Sequence, residues 1–201
     1  MAPPLPPVVI LAAGRSSRLG EPKGLVVVGG RFWIERQLDA VAAAGVIRPV
    51  VVLGFDRDRY ESVTGLTRRA RIAVNPDPDR GPFSSLQHGL ALVGPDEAVF
   101  VLPIDVPAAR PATWAALSGA IGSADAAVPT DEGGGGGHPV LLSSGFAARL
   151  RALDPALPDA RLDVQLRRLD PAAVARVAAN DDRIRLNLNA PEDWGRLERG
   201  D

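Results

Sequence analysis

The chain has 201 residues, and at about 150 residues per domain this length favours one domain with a sizeable core. The chain has 23 Lys and Arg residues and 24 Asp and Glu residues. This balance lacks the strong positive charge expected of a protein that binds nucleic acid or anionic membranes in general. There is no cysteine, which excludes disulfides, thiolate zinc sites and cysteine nucleophiles. No apolar run approaches the roughly 20 residues of a membrane span, and no secretory signal is evident. We therefore expect a cytoplasmic monomer or small homo-oligomer.

Short apolar runs alternate with helical windows along the first two thirds of the chain. The runs predict strands over residues 8–13, 50–53, 72–74, 98–102 and 126–128. Apolar residues at helical spacing predict helices over residues 34–42, 56–63, 84–93 and 111–121. Strands that alternate with helices favour βαβ crossovers. We therefore predict the α/β class, with a mostly parallel central sheet covered by helices on both faces.

The pattern changes after residue 129. The consecutive glycines from Gly133 to Gly137 predict a mobile loop over residues 131–137, and residues 1–6 are also predicted to be flexible. Further strands are predicted over residues 138–142, 174–177 and 183–188. Further helices are predicted over residues 145–153, 162–169 and 191–197. All these elements are assigned to a single domain over residues 1–201.

The stretch from Leu11 to Lys23 follows the first predicted strand and reads LAAGRSSRLGEPK. Its glycines expose backbone N–H groups and its cations Arg15, Arg18 and Lys23 can converge, which suits a nucleoside triphosphate. Lys23 is the single lysine of the chain, which favours a chemical requirement for it. The spacing is neither a dinucleotide fingerprint nor a Walker A motif. The alternative is an ordinary strand-to-helix loop with solvated arginines.

A carboxylate, Asp105, follows the apolar run over residues 98–102. It comes shortly after the carboxyl end of its predicted strand, where open α/β sheets place their ligands. Mg²⁺ prefers oxygen ligands and often takes one or two carboxylates together with substrate phosphates. Asp105 is therefore the predicted Mg²⁺ ligand, and the alternative is a turn residue that binds no ligand.

The loop over residues 11–23 resembles the Leu-Ala-Ala-Gly-x-Ser-x-Arg-Met-Gly-x-x-Lys signature of the MobA-like NTP transferases, with Leu19 in place of Met. In that family the loop wraps the nucleotide, and the residues that match Arg18 and Lys23 contact its phosphates. The family's Asp-x-Pro motif, similar to Asp105-Val106-Pro107 here, supplies a metal ligand. Phe32-Trp33 stands where Pro-Leu is usual, a departure expected to affect packing more than chemistry. The resemblance implies a three-layer, Rossmann-like nucleotidyltransferase fold.

The resemblance also implies a set of site residues. Its catalytic residues are Arg18, Lys23 and Asp105. Its nucleotide-binding residues are Leu11, Ala12, Ala13, Gly14, Arg15, Ser16, Arg18, Lys23, Asn75, Ser84 and Ser85. Gly137 and His138 belong to a Gly-His-Pro-Val stretch, similar to that of molybdopterin cytidylyltransferases, that would face the acceptor.

A second metal ligand is implied near the carboxyl end of the chain. Asn187 and Asn189 stand where many relatives have acids, and Asn189 is the implied ligand beside Asp105. Each of the assignments outside the loop has a plainer alternative. Ser84 or Ser85 could cap a helix, and Asn189 could simply begin one.

The function implied is Mg²⁺-dependent transfer of a nucleotide from a nucleoside triphosphate, with CTP or GTP favoured, to a phosphorylated small molecule with release of pyrophosphate. A molybdenum cofactor cytidylyltransferase-like enzyme is the leading expectation. A guanylyltransferase and a sugar-1-phosphate nucleotidyltransferase are the alternatives. A non-catalytic nucleotide-binding protein stays open because of Asn187 and Asn189, and a dinucleotide-binding oxidoreductase is disfavoured because its glycine fingerprint is missing.

Overall fold

A seven-stranded, mostly parallel β-sheet lies at the centre of the molecule. The computed structural model describes residues 4–16, 19–63, 65–190 and 192–195. Its strands are β1 (Val8–Leu11), β2 (Val27–Val28), β3 (Arg31–Phe32), β4 (Val50–Leu53), β5 (Arg71–Val74), β6 (Val99–Pro103), β7 (Ala126–Thr130), β8 (Val140–Leu142) and β9 (Val174–Ala178). Its helices are α1 (Trp33–Ala43), α2 (Arg57–Glu61), α3 (Leu66–Arg69), α4 (Pro82–Leu90), α5 (Pro111–Ala120), α6 (Ser144–Ala152) and α7 (Leu162–Arg167).

The strands of the large sheet follow the order β5-β4-β1-β6-β8-β7-β9. Strand β8 is antiparallel to both of its neighbours, whereas the other described pairs in this sheet are parallel. Residues 131–139, which join β7 to β8, are fewer than the dozen or so that a parallel crossover needs, so the chain returns antiparallel. The predicted α/β class with a mostly parallel sheet is confirmed.

Helices cover both faces of the sheet because alternate residues of its buried strands point to opposite sides. Val8 and Ile10 of β1 join the core on the side of α1, α2, α3 and α5, whereas Val9 joins the core on the side of α4 and α6. All three side chains are fully buried. The molecule therefore has the three layers that the family resemblance implies.

Helix α4 packs directly on the sheet because Gly89 lies at the contact. A methyl group at this position would overlap Val9 of β1 and would lie 2.8 Å from a methyl carbon of Val52 of β4. Both valines are fully buried, and a close-packed interior leaves them little room to move aside. The position of α4 on the sheet therefore depends on this glycine.

We expect Gly89→Ala to lower the free energy of unfolding by about 1–3 kcal/mol, which is the usual effect of overpacking a core. Gly119→Ala is the matched control, since Gly119 is an exposed residue of α5 and an added methyl group there meets no atom within 4 Å. The control should be neutral or stabilising, because alanine favours a helix over glycine. Chemical denaturation measures both effects, and wild-type stability in Gly89→Ala would contradict this packing.

The strand predicted over residues 183–188 is wrong. Asp182–Arg185 forms a 3₁₀ turn, and the Asp181 side chain caps this turn by accepting a hydrogen bond from the Arg183 N–H. Ile184 and Leu188, whose apolar character suggested a strand, are buried against the core outside the sheet. Of the helix predicted over residues 191–197, residues 192–195 are helical, and residues 191, 196 and 197 lie outside the described residues. The hairpin of β2 and β3 and the short helix α3 were not predicted.

The glycine-rich segment 131–137 forms a turn between β7 and β8. The Asp131 carboxylate accepts a hydrogen bond from the Gly135 N–H at 2.7 Å and pairs with Arg185. Its mobility stays a prediction, as does the flexibility of residues 1–6, of which residues 1–3 lie outside the described residues and Leu5 forms a bridge with Val46. Within the described ranges, no helix has the length and apolar character needed to cross a membrane.

Candidate active site

The carboxyl ends of β1 and β6 lie side by side in the middle of the sheet. From β1 the chain crosses to β4 on one side and later returns to β6 on the other, so the connections leave a crevice between these strand ends. Leu11 and Pro103, the last residues of the two strands, are register partners. The Ile104 N–H donates a hydrogen bond to the Leu11 carbonyl at 3.1 Å. The loop after β1 and the turn that carries Asp105 therefore face the same crevice.

This crevice is a cleft of about 640 Å³. Most of the predicted nucleotide and metal site lines it, namely Leu11, Ala12, Ala13, Gly14, Arg15, Ser16, Lys23, Ser85, Asp105 and Asn189. Phe55 and Asp79 also line the cleft and were not predicted. They follow β4 and β5, so the rule that ligands bind beyond the carboxyl ends of strands could have found them. Arg18, a predicted catalytic residue, lies outside the described residues.

The side chain of Lys23 brings the two predicted metal ligands together. Its Nζ donates one hydrogen bond to Asp105 Oδ2 at 2.7 Å and another to Asn189 Oδ1 at 2.6 Å. The Lys23 side chain is 16% exposed and that of Asp105 is 25% exposed, so solvent screens this ion pair less than it screens the surface pairs. Three segments that are distant in sequence thus meet at one ammonium group.

Two hydrogen bonds fix the backbone around Lys23. The Lys23 N–H donates to Ser16 Oγ at 3.1 Å, and the Gly24 N–H donates to the hydroxyl of Tyr60 at 3.0 Å. Ser16 has a positive φ of 49°, which bends the loop back toward Lys23. Gly24 has no room for a side chain, because a methyl group there would lie 2.7 Å from a ring carbon of Tyr60.

Asp105 and Asn189 are joined through their own backbones. The Leu188 N–H donates to the Asp105 carbonyl at 2.8 Å. One oxygen of the Asp193 carboxylate accepts hydrogen bonds from the N–H groups of Asn189 and Ala190, at 3.0 and 2.9 Å. Asp193 therefore holds the backbone at the start of the last helical segment, and the Asn189 side chain points to Lys23. Asn189 therefore does more than begin a helix, because its side chain also accepts a hydrogen bond from Lys23.

Helix α1 supports the turn that carries Asp105. The indole N–H of Trp33 donates to the Ile104 carbonyl at 2.7 Å, and the Gln37 side chain donates to the Val106 carbonyl at 2.6 Å and accepts from the Ala108 N–H at 2.8 Å. Sequence reasoning missed both residues. Trp33, expected to affect packing, also fixes the backbone next to a predicted metal ligand, and its ring meets Trp194 edge-on with 5.5 Å between ring centres.

The donor set at the Lys23 position fits a hard divalent cation. Asp105 and Asn189 direct one carboxylate oxygen and one amide oxygen at the same positive charge, and oxygen donors of these kinds are what Mg²⁺ prefers. Among the described residues, no group of three or more His, Cys, Asp and Glu side chains could hold a metal by itself. A metal held by Asp105 and Asn189 would therefore need further oxygen ligands.

Asn75, Ser84 and Ser85 form one buried network. The Asn75 amide donates to Ser84 Oγ at 2.9 Å and to Ser85 Oγ at 3.0 Å. Neither serine caps the helix, since α4 begins at Pro82 after Gly81 and has no side-chain cap. The network ties the end of β5 to the first turn of α4. Of the three, only Ser85 borders the cleft, so direct nucleotide contact by Asn75 or Ser84 stays a prediction.

Arg15 lies at the rim of the same cleft. Its guanidinium donates to both carboxylate oxygens of Asp79 at 2.9 Å and stacks over the ring of Phe55, 4.0 Å from the ring centre. Arg15 and Asp79 are 61% and 67% exposed, and an exposed pair of this kind contributes little to stability. The Arg15 guanidinium is therefore held beside the cleft while Lys23 lies inside it.

A second cleft of about 860 Å³ adjoins the first, sharing Leu11, Gly81, Pro82 and Pro103 with it. Gly137 and His138, the predicted acceptor residues, line it. Burial lowers the pKa of His138, which outweighs the hydrogen bond to the Val101 backbone and the charge of Asp105, so the ring is neutral near pH 7. Within the described part of the chain, His138 Nδ1 is buried without a hydrogen-bond partner.

The family described as "MobA-like NTP transferase domain" matches residues 8–183 of the chain. The match covers the large sheet from β1 to β9 and the residues that line both clefts, except Asn189 of the first cleft. The chain therefore belongs to this family, whose members are nucleotidyltransferases.

Similar proteins fit this assignment. The probable molybdenum cofactor guanylyltransferase of Methanothermobacter thermautotrophicus is 27% identical over 92% of this chain and 95% of its own length. The bifunctional protein GlmU of Polaromonas sp. is 34% identical over 58% of this chain, and the chain spans 26% of that relative's length. The crystal structure of an Rv0371c homologue from Mycobacterium sp. strain JC1 has a TM-score of 0.79, with 26% identity, and covers 96% of this chain and 95% of its own.

Burial raises the pKa of Tyr60 to about 12 from an ordinary value of 10.0. Tyr60 is the single tyrosine of the chain, so the phenolate absorbance reports on it alone. We expect this absorbance to titrate with a midpoint of about 12 in the folded protein. The raised pKa means that the native state favours the neutral phenol. The contribution of Tyr60 to the free energy of unfolding is therefore fully present below pH 10 and is lost as the pH rises through about 12.

The loss amounts to about 2–3 kcal/mol, since one pKa unit corresponds to about 1.4 kcal/mol. Tyr60→Phe keeps the ring but cannot ionise, so its free energy of unfolding should fall less between pH 10 and pH 12 than that of the wild type. Denaturation at a series of pH values measures this difference. A phenolate midpoint of 10 in protein that circular dichroism shows to be folded would contradict the buried contact with Gly24.

Proposed function

We propose that the protein transfers a nucleoside monophosphate from a nucleoside triphosphate to the phosphate of a molybdopterin-type acceptor, with release of pyrophosphate. The single observation that carries this proposal is that the Lys23 ammonium donates hydrogen bonds to both Asp105 and Asn189 in the first cleft, beside the loop after β1. One cation and two metal-type oxygen donors lie beside the loop backbone, in the crevice between the carboxyl ends of the parallel strands β1 and β6. This is an arrangement for a triphosphate and its metal.

The reaction needs charge neutralisation and positioning more than a general base. The acceptor's phosphate is largely ionised near neutral pH because its second pKa is about 6. One of its oxygens forms a bond to the α-phosphorus, the bond from that phosphorus to the bridging oxygen of the β-phosphate breaks, and pyrophosphate leaves with the electron pair. Lys23 leaves Asp105 to bind the phosphates, and the loop backbone around Gly14 holds the triphosphate in line.

Asp105 and Asn189 would hold the Mg²⁺ ion. When bound, it supplies positive charge that stabilises the transition state and the leaving pyrophosphate. Asn189 supplies an oxygen without a charge, so this chain provides less negative charge to the metal than a pair of carboxylates would. Arg18, at its place in the loop motif, is proposed to bind phosphates as well.

The second cleft is proposed to bind the acceptor. It opens into the first cleft beside β1 and β6, so an acceptor phosphate held there can approach the α-phosphorus. The described residues that line it include four arginines and one aspartate, namely Arg80, Arg161, Arg167, Arg176 and Asp163, and apolar side chains such as Leu157, Leu162 and Leu166. Such a lining suits a flat organic body that carries a phosphate. Gly137 and His138 are also among its lining residues.

The donor nucleotide is proposed to be GTP, with CTP as the second candidate. A relative that covers most of this chain is named as a guanylyltransferase, which supports GTP and not the leading sequence expectation of CTP. The Gly-His-Pro-Val stretch at Gly137 and His138, similar to that of molybdopterin cytidylyltransferases, supports CTP. The roles proposed for Lys23 and Asp105 concern the phosphates and the metal, so the chemistry of transfer is the same for either base.

Asp105→Asn tests the proposed chemistry. We expect pyrophosphate release from GTP or CTP, in the presence of Mg²⁺ and a molybdopterin acceptor, to fall about 100-fold or more, because a charged metal ligand is lost. Asp58→Asn is the control, since Asp58 is an exposed residue of α2 away from both clefts, and it should leave the rate unchanged. A coupled assay for pyrophosphate measures the rates.

A thermal-shift assay with each nucleotide and Mg²⁺ separates the alternatives, because a ligand of the native state raises its apparent stability. A shift without pyrophosphate release from any acceptor tried would favour a non-catalytic nucleotide-binding protein. No shift with any of the four common nucleoside triphosphates would refute nucleotide binding in the first cleft.

A further inference from the structure

The ammonium of Lys23 lies at the point where the metal ligands Asp105 and Asn189 converge. Among the described residues these two side chains are its hydrogen-bond partners, with the bonds ending on Asp105 Oδ2 at 2.7 Å and on Asn189 Oδ1 at 2.6 Å. The ammonium therefore occupies the point between the two oxygens. A cation that bound both oxygens at this point would have to displace the ammonium.

The charge of this site favours the ammonium when nucleotide is absent. Asp105 carries one negative charge, Lys23 one positive charge and Asn189 none, so the cluster is neutral as it stands. A metal that enters without nucleotide must break the ion pair between Lys23 and Asp105. The Lys23 ammonium is then left beside a doubly charged cation, and the two positive charges repel each other. With a carboxylate in place of Asn189, the cluster would carry one net negative charge even with Lys23 in place, and this charge would attract a metal.

A triphosphate changes this balance because it gives Lys23 a new anionic partner. Ammonium-to-phosphate hydrogen bonds are charge-assisted, and the loop that carries Lys23 lines the cleft in which the phosphates are proposed to lie. Once Lys23 has moved to the phosphates, Asp105 and Asn189 are free for the metal that the phosphates themselves carry.

We infer that Lys23 excludes divalent cations from the free protein, and that Asn189 is the residue that makes this exclusion effective, so that the metal enters only together with the triphosphate. The inference rests on the proposed function, since it assigns the same two metal ligands. Lys23 would then have two roles: it excludes the metal from the free protein, and it binds the phosphates once the nucleotide is present.

The test is Mn²⁺ binding to the free protein, followed by electron paramagnetic resonance. Lys23→Met should bind Mn²⁺ about tenfold more tightly than the wild type or better, because an adjacent competing charge is removed. Asn189→Asp should also bind Mn²⁺ more tightly, because it adds a charged ligand at the same place. Circular dichroism and a melting curve confirm that each variant is folded.

Asn187→Asp is the matched control for the second variant. It adds the same charge to the same segment, but Asn187 is exposed and its side chain donates to the Arg185 carbonyl, away from Lys23. It should change Mn²⁺ affinity by less than about twofold, because a solvent-exposed charge is strongly screened. An equal gain from Asn187→Asp would mean that general electrostatics, and not the ligand position, sets metal affinity, which overturns the role of Asn189.

Equal Mn²⁺ affinity in the wild type and in Lys23→Met overturns the inference whatever the other variants do. The failure of the proposed function is a separate result. It would show as the absence of any thermal shift when the wild type is given nucleotide and Mg²⁺ together. A wild type that shifts with nucleotide and binds Mn²⁺ alone as tightly as Lys23→Met would keep the proposed function and lose only the exclusion by Lys23.

Discussion

The two hydrogen bonds of the Lys23 ammonium are the constraint on which the candidate site depends. They join a loop residue to partners 82 and 166 residues away, one after a central strand and one near the carboxyl end of the chain. A hydrogen bond between charged groups stabilises by more than a neutral one, and the bond to Asp105 joins an ammonium to a carboxylate. The other contacts of the site position the backbone from which the side chains of Lys23, Asp105 and Asn189 extend.

The fold supplies that starting geometry through its strand order. Strands β1 and β6 are neighbours, but the chain leaves β1 toward β4 on one side and later returns to β6 on the other, so their carboxyl ends open into one crevice. Helix α1 then fixes the turn after β6 through Trp33 and Gln37, whose side chains bond to its backbone. On the other side, Asp193 fixes the backbone of Asn189. Most of these positioning bonds end on backbone atoms, so they constrain the path of the chain more than any single side chain.

The sequence was sufficient for the parts of this account that depend on local pattern. Buried strands alternate with amphipathic helices, which predicted the layers, and a glycine-punctuated loop with Lys23 predicted the cleft that the structure shows. The direction of β8 was not predictable from its apolar residues, because it follows from the short connection over residues 131–139. The strand over residues 183–188 was predicted wrongly, because apolar residues spaced along an irregular segment can pack on a core without pairing in a sheet.

The support for Asp105 was missed for a different reason. Trp33 and Gln37 lie on a helix about 70 residues earlier in the chain, and they act through hydrogen bonds to carbonyl groups near residue 105. Sequence periodicity reports which face of a helix is buried, and it predicted a helix over residues 34–42. It does not report that a buried polar group must find a partner, which is the rule that connects α1 to the site.

The most direct test of the account is a crystal structure of the wild type grown with Mn²⁺ and a non-hydrolysable analogue of GTP or CTP, with the anomalous signal of manganese used to locate the ion. The account predicts an anomalous peak bonded to Asp105 and Asn189, with the triphosphate in the first cleft and the Lys23 ammonium on its phosphates. A manganese peak elsewhere, or a nucleotide bound outside this cleft while Lys23 keeps its two partners, would contradict the account.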